Sequence, residues 1–224
     1  MTNKHSFRQK DITRNCEKKY ADYRSYKPHL KKDFNDRCAY CNLKSDLITS
    51  FFEIDHFVPK KEYKIMKMYY LETDYKNLVY SCRKCNNAKS DQFSGDLSVN
   101  PYENKDFYDP VKIDYNSIFY RDDKGRIKSE DDLGKRMIES LKLNRPIHSL
   151  PWMIEQLEKA IEKIKKKRED NSIGNNKNQA INEVYIQLLE WKDRLKTLFI
   201  KNYNNNDFTY NDIVTAKDID DLLD

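Results

Sequence analysis

Cys38-Ala-Tyr-Cys41, Phe51-Phe-Glu-Ile-Asp55-His56-Phe57 and Asn77-Leu-Val-Tyr-Ser-Cys82-Arg-Lys-Cys85-Asn86-Asn87-Ala-Lys89 belong to one stretch, 38–89, whose reading decides the fold. Two CxxC pairs bracket an apolar segment that ends in Asp-His. A CxxC turn presents two thiolates to one ion, and zinc takes four such ligands tetrahedrally. Cys38, Cys41, Cys82 and Cys85 are therefore candidate ligands of a structural zinc, closed to water because four sulfurs fill its coordination sphere. Redox chemistry at CxxC is the alternative, but nothing thioredoxin-like surrounds either pair. Cys16 is left over and reads as a small, partly buried apolar residue.

Between the pairs, Ile48, Thr49, Phe51, Phe52 and Ile54 are β-formers, so 47–57 is expected to be a strand or hairpin ending near His56 and stopped by Pro59. Residues 60–76 read as a long Tyr/Met/Lys-rich connection, 75–81 as a second strand, and 85–92 as a helix. The expected order is strand, loop, strand, helix: a ββα unit.

Hydrolysis of a phosphodiester needs a base for water and a cation on the developing charge. His56, with an ordinary pKa of about 6.5, suits the base. The carboxylate of Asp55 and the side-chain carbonyl of Asn86 are hard oxygen donors that favour Mg²⁺ or Mn²⁺ over zinc. Asn87 competes with Asn86 for that role, but the spacing from Cys85 and to Lys89 favours Asn86.

The order CxxC, Asp-His, Asn-Leu, CxxC-Asn-x-x-Lys closely resembles the HNH endonucleases of the ββα-metal (His-Me finger) fold, in their four-cysteine variety. The resemblance implies that His56 is the general base and that Asn77 braces the loop carrying it. It further implies that Asp55 and Asn86 hold the catalytic divalent cation. Asn stands at the last position where the plain pattern has His. Lys60, Lys61 and Lys89 are candidates for phosphate contact, with solvated surface as the competing reading.

Around this core the chain is expected to divide into a basic segment 1–37, the nuclease core 38–95, a hairpin-and-helix extension 96–145, a helical hairpin 146–203 and a tail 204–224. The first segment carries Lys/Arg at eleven positions against five Asp/Glu, interleaved with Tyr20, Tyr23 and Tyr26. A helix is expected over 13–24, ended or kinked by Pro28. The segment suits either a clamp on nucleic-acid backbone or a lid on the core.

Downstream, Ile113 to Ile127 reads as a hairpin with Asp122-Asp123-Lys124-Gly125 as its turn. Ser129-Glu-Asp-Asp132 caps a helix to about Leu143, and Pro146 and Pro151 break it. Leu150, Ile154, Leu157, Ile161 and Ile164 mark a second helix. After Asp170 to Asn176, a third carries Ile181, Val184, Leu188, Trp191, Leu195 and Leu198. These two amphipathic helices form an antiparallel hairpin whose stripes are mutual core or a dimerising face. The tail, 202–207 and 211–224, is expected to be loosely ordered.

The block from Asp114 to Gly125 and Ile138 to Arg145 looks like the extension on stand-alone bacterial HNH proteins, among them the Septu-type nuclease subunits of anti-phage defence. That resemblance implies an ATPase partner. The architecture expected is thus α+β, a zinc-stapled ββα core followed by a mostly helical extension.

Charge fits this reading. The net charge is +5, yet residues 1–95 hold 20 Lys/Arg against 12 Asp/Glu while the remainder holds 22 against 25. The basic excess sits on the half that carries the motif, as a phosphate-binding surface requires. A mean hydropathy of −0.99 and the shortness of every apolar run exclude a signal peptide and a membrane span, so a cytoplasmic protein is expected. Nucleic acid, DNA foremost, is the expected partner. The alternative from another class is a catalytically inactive, zinc-stabilised nucleic-acid-binding or scaffold protein.

Overall fold

The computed structural model describes residues 3–47, 52–169, 175–203 and 213–223, the side chains of 175–178 excepted. The first strand, β1, is His5–Ser6. The helix expected over 13–24 does not form: 11–20 carries no regular structure and Tyr23–Tyr26 is a single 3-10 turn. Backbone and side chains there go to tertiary partners instead. The Thr13 amide donates to Asp33 O at 3.0 Å, the Asn15 amide to Asp33 Oδ2 at 2.6 Å, and Arg14 to both oxygens of Asp109. A basic stretch without an apolar stripe buries nothing as a helix, so these anchors win. Pro28, expected as a breaker, lies in the first turn of α1 (Lys27–Asp33), where a missing N–H leaves nothing unpaired.

Strand β2 (Phe52–His56) follows Leu47 and the undescribed 48–51, where the expected Ile48, Thr49 and Phe51 lie. Pro59 then precedes helix α2 (Lys60–Ile65), and two 3-10 turns, Tyr69–Glu72 and Tyr75–Asn77, complete what read as a plain connection. The helix forms because Tyr63 buries fully with Val58, Leu71 and Leu97, an apolar cluster spread too thinly along the sequence to show a period. Strand β3 (Leu78–Cys82) pairs antiparallel with β2, His56 opposite Leu78 and Phe52 opposite Cys82. Helix α3 (Arg83–Lys89) starts directly at the strand's end, completing the expected ββα order.

In the next segment the expected hairpin begins as a helical turn, α4 (Tyr115–Ile118), because Asp114 caps it by accepting from the Asn116 amide at 2.8 Å. Strands β4 (Phe119–Arg121) and β5 (Ile127–Ser129) follow, joined through Gly125, whose φ of 72° suits a glycine at the turn. Asp131 caps α5 (Asp132–Ser140) by accepting from the Gly134 amide. The strands make two small sheets, β1-β4-β5 and β2-β3.

The described residues fall into two compact units. One comprises Ser6–Tyr120 and Lys128–Asn144 and contains the ββα core. The other comprises the described parts of Met1–His5, Arg121–Ile127 and Arg145–Asp224. It holds α6 (Leu150–Arg168), α7 (Asn175–Asn202) and α8 (Ala216–Leu223). Pro151 sits in the first turn of α6 rather than breaking a helix. Helices α6 and α7 are antiparallel: Glu158 pairs with Lys196 at 3.7 Å, while Arg168, later in α6, covers the ring of Tyr185, earlier in α7. Ile154, Leu157, Ile161 and Ile164 are buried with Leu188 and Leu195, the stripes acting as mutual core.

The loop read at 170–176 and much of the tail lie outside the described residues. Over Ala216–Leu223 the tail is helical, against expectation. Thr215 and Asp218 form a reciprocal capping box, each side chain bonding the other's amide, and Ile213, Ala216 and Ile219 are buried. Among the described residues no helix is long and apolar enough to cross a membrane.

Candidate active site

The knuckle Cys38–Cys41 is closed by backbone bonds from Cys38 N to Leu43 O and from Asn42 N to Cys38 O, with Asn42 at a φ of 63°. Ala39 N donates to Tyr80 O, tying the knuckle to β3. Cys82 ends that strand and Cys85 lies in the first turn of α3, so both pairs arrive at one point. All four sulfurs are buried and lie within 4.8 Å of one another. Bonds of about 2.3 Å to one tetrahedral zinc put sulfurs about 3.8 Å apart. The Cys41 and Cys82 sulfurs are 3.8 Å apart.

Two electrostatic observations bear on the same ion. The Cys82 and Cys85 thiols are pushed well up, chiefly by their sulfur neighbours and also by burial, so a cation is needed to hold four thiolates together. Arg8 lies buried beside them, its guanidinium 4.1 Å over Tyr115. Its Nε and Nη2 have no hydrogen-bond partner among the described residues. Burial pushes Arg8 down to about 10, opposed by Tyr115, Cys38 and Cys41. A zinc tetrathiolate carries two net negative charges and supplies the counter-charge that a buried guanidinium requires. The donor set fits zinc.

His56 closes β2 and is 5% exposed. Its Nε2 lies 3.0 Å from Glu72 O. A carbonyl only accepts, so Nε2 carries the proton and Nδ1 keeps its lone pair. Tyr23 stands edge-on at 4.8 Å between ring centres, and Tyr63 packs at 5.9 Å. Burial, with the charge of Lys60 adding to it, lowers the imidazole below its usual value against the opposing pull of the Glu72 carbonyl. The ring is therefore neutral at pH 7.

Asn77 is 1% exposed and spends its whole amide on the loop after the histidine. Oδ1 accepts from Val58 N at 2.8 Å, while Nδ2 donates to Leu71 O at 3.0 Å and Val58 O at 3.3 Å. Its backbone carbonyl accepts from Phe57 N at 2.8 Å. Replacing the side chain strands three buried backbone groups at once.

Alternation along β2 turns Glu53 and Asp55 toward α3. Asp55 accepts from Tyr40 Oη at 2.6 Å and from Lys89 Nζ at 3.1 Å. Lys89 also donates to His56 O at 2.9 Å and is 0% exposed. The surface phosphate contact expected of Lys89 is thus not open to it, because the ammonium is enclosed and ion-paired. One turn earlier on α3, Asn86 Nδ2 donates to Glu53 Oε2 at 2.8 Å, and Arg83 Nε reaches Glu53 Oε1 at 2.7 Å. Burial alone would raise the Glu53 carboxyl, but the bonds from Asn86 and Arg83 outweigh it and hold it low.

Asp55 and Asn86 therefore lie on one strand–helix face without sharing a hydrogen bond among the described residues. An ionised carboxylate offers about four lone-pair positions, of which Tyr40 and Lys89 use two. With the Asn86 carbonyl and the nearby Glu53, hard oxygen donors of the kind that hold Mg²⁺ or Mn²⁺ are present, in competition with the ammonium. Lys60 pairs with Glu72 at 3.2 Å and covers Tyr23, while Lys61 pairs with Asp91 at 3.3 Å. Sequence reasoning missed Glu53, Glu72 and Tyr40. Only Glu53 carried a signal, its two-residue step from Asp55.

Residues 38–92 match the family model for HNH endonuclease. Among curated proteins, a Septu protein PtuB of Bacillus mycoides (strain KBAB4) is 39% identical over 72 residues, covering 29% of this chain and 24% of the relative. A Septu protein PtuB of Bacillus thuringiensis is 33% identical over 67 residues, covering 28% and 24%. The chain thus spans only about a quarter of the length of the curated relatives it matches. No solved structure matches the chain. The ββα unit with its four buried cysteines, residues 38–92, is a domain of the HNH endonuclease family.

Proposed function

We propose that the chain is a metal-dependent endonuclease that hydrolyses phosphodiester bonds of nucleic acid, DNA in the first instance. The observation that carries this reading is His56. Glu72 O fixes its tautomer, burial keeps it neutral, and Nδ1 is left as the acceptor that can take a proton from water. Asn77 and the Lys89 contact to the His56 carbonyl hold the backbone on either side of that ring. Asp55 and Asn86 are the side chains that would hold a divalent cation, which supplies charge stabilisation to the phosphoryl and leaving oxygens. The test is cleavage of plasmid with Mg²⁺ or Mn²⁺. His56→Ala is expected to lose about 10²- to 10⁴-fold in rate, and equal cleavage by the variant overturns the assignment.

The pH dependence follows from the direction of the histidine shift. A depressed pKa keeps the base available below the ordinary value of about 6.5, so the acid limb of kcat/KM is expected to begin under pH 6.5. The same shift costs stability in acid. Unfolding lets His56 take up a proton, so its contribution turns against the fold as pH drops from about 6.5 through the folded pKa. An acid limb centred above pH 7 would assign the base elsewhere.

Two relatives carry the Septu name, which supports a role in anti-phage defence with an ATPase partner and gives the helical unit a docking task. Ile186 and Ile200 of α7, 55% and 69% exposed, suit such a surface or contact between copies. Copurification from the native host with mass spectrometry checks it. One observation favours the alternative, a zinc-stabilised binding or scaffold protein without catalysis: Lys89 already neutralises Asp55. That reading predicts salt-sensitive DNA binding and no cleavage with any divalent metal.

A further inference from the structure

We propose that a cavity between the irregular segment 14–20 and the 70–76 loop binds one nucleotide of a single-stranded stretch of substrate, base on tyrosine and flanking phosphates on lysine. The inference rests on the nuclease reading for its biological sense, but its test does not require cleavage. The cavity measures about 490 Å³ and is lined by Cys16, Lys18, Lys19, Tyr20, Tyr70 and Lys76 among others. That volume is within the range of small-ligand sites.

Its charge is unspent. Lys18, Lys19 and Lys76 are exposed and have no acidic partner among the described residues. By contrast Lys31, Lys60 and Lys61 are each ion-paired. Of the acids on the wall, Asp74, which accepts from the Tyr102 hydroxyl and the Lys76 amide, and Glu17 stand against the three lysines, so a net positive charge remains.

The aromatic side is arranged to receive a flat ring. Tyr70 is 51% exposed. Tyr20 is held edge-on to Tyr26 at 4.9 Å, with its hydroxyl bonded to His29 at 3.0 Å, so it loses little freedom on binding. Lysines that neutralise phosphates and tyrosines that stack bases are the two components of sequence-tolerant single-strand binding. A duplex offers no free base face to Tyr70. The wall is next in sequence to a residue of the site: Thr73 lines the cavity and follows Glu72, whose carbonyl holds His56.

Cys16 provides the readout, because it lines the cavity half-buried while the other cysteines are buried together in their cluster. The experiment uses the full chain without added Mg²⁺, a fluorescein-labelled oligothymidylate, and alkylation of Cys16 by N-ethylmaleimide. The oligonucleotide is expected to slow alkylation. Tyr70→Ala should weaken binding about tenfold, and alanine at Lys18, Lys19 and Lys76 should flatten the log-affinity against log-salt slope by about 2. All four side chains are exposed, so folding is not at issue. Unchanged alkylation together with wild-type affinity in Tyr70→Ala overturns the proposal, as does equal protection by a polyglutamate peptide. Unprotected Cys16 in a chain that still cleaves sinks the cavity and leaves His56 standing. Protection in a chain that cleaves nothing does the reverse.

Discussion

Cys82→Ser is expected to take bound zinc from one ion per chain to none and to unfold the ββα core at room temperature. The four sulfurs are the point where the N-terminal knuckle, the end of β3 and the start of α3 meet. Apparent binding free energies for structural zinc are about 10–16 kcal/mol, as large as the whole stability of a typical domain. The two-stranded sheet and seven-residue α3 have little else to replace it. Arg8 sharpens the expectation, since loss of the ion removes the counter-charge of a buried guanidinium as well. Zinc is measured by atomic absorption, and the core by hydrogen exchange of the β2 and β3 amides. One bound zinc with unchanged protection in the variant would refute the four-sulfur assignment. Because α6 and α7 bury their own stripes, far-UV helicity should persist in part, which separates core loss from global unfolding.

What the sequence disclosed, and what it did not, follows from the range of the interactions. The ββα order was legible because Cys38, Cys41, Cys82 and Cys85 fix the ends of three elements at once. The α6–α7 hairpin was legible because Ile154 to Ile164 and Val184 to Leu195 repeat at helical spacing. Residues 13–24 misled, since a helix suggested by local composition lost to Asp33, Asp109 and Leu78 O, partners far along the chain. Helix α2 was missed because Tyr63 buries against Leu71 and Leu97 rather than against its own helical neighbours. The helix at 216–223 was missed because the Asn/Asp-rich composition of the tail suggested loose order, although Thr215 and Asp218 stand at capping-box spacing. Within the site, the residue types at His56, Asn77 and Asn86 could be read, but their partners could not. Glu72 O, Tyr40 Oη and Lys89 Nζ reach the site by folding, not by spacing, and Lys89, read as a phosphate contact or solvated surface, proved to be fully buried.

That inward lysine makes the second large effect. Lys89 is 0% exposed, bonded to Asp55 and to the carbonyl of His56. Removing one member of a buried pair leaves the other charged and unpaired, at a cost of about 3–5 kcal/mol. Lys89→Met alone is therefore expected to destabilise the chain by that amount in a denaturant melt, and Asp55→Leu alone likewise. Replacing both with apolar groups removes the uncompensated charge, so the double variant should lose less than either single, an interaction of about 3 kcal/mol or more. Stability and activity should then separate. If Asp55 serves only as the counter-ion of Lys89, the double variant cleaves plasmid at least as fast as folded Lys89→Met, which has lost the same bond to the His56 carbonyl. If Asp55 also holds the divalent cation, the double variant folds, keeps its zinc and falls far below that single variant. The second outcome is expected, because Tyr40 and Lys89 take only two of the roughly four lone-pair positions of the carboxylate. Cleavage by the folded double variant at the rate of Lys89→Met or above would confine Asp55 to the core and leave the cation without its anionic ligand.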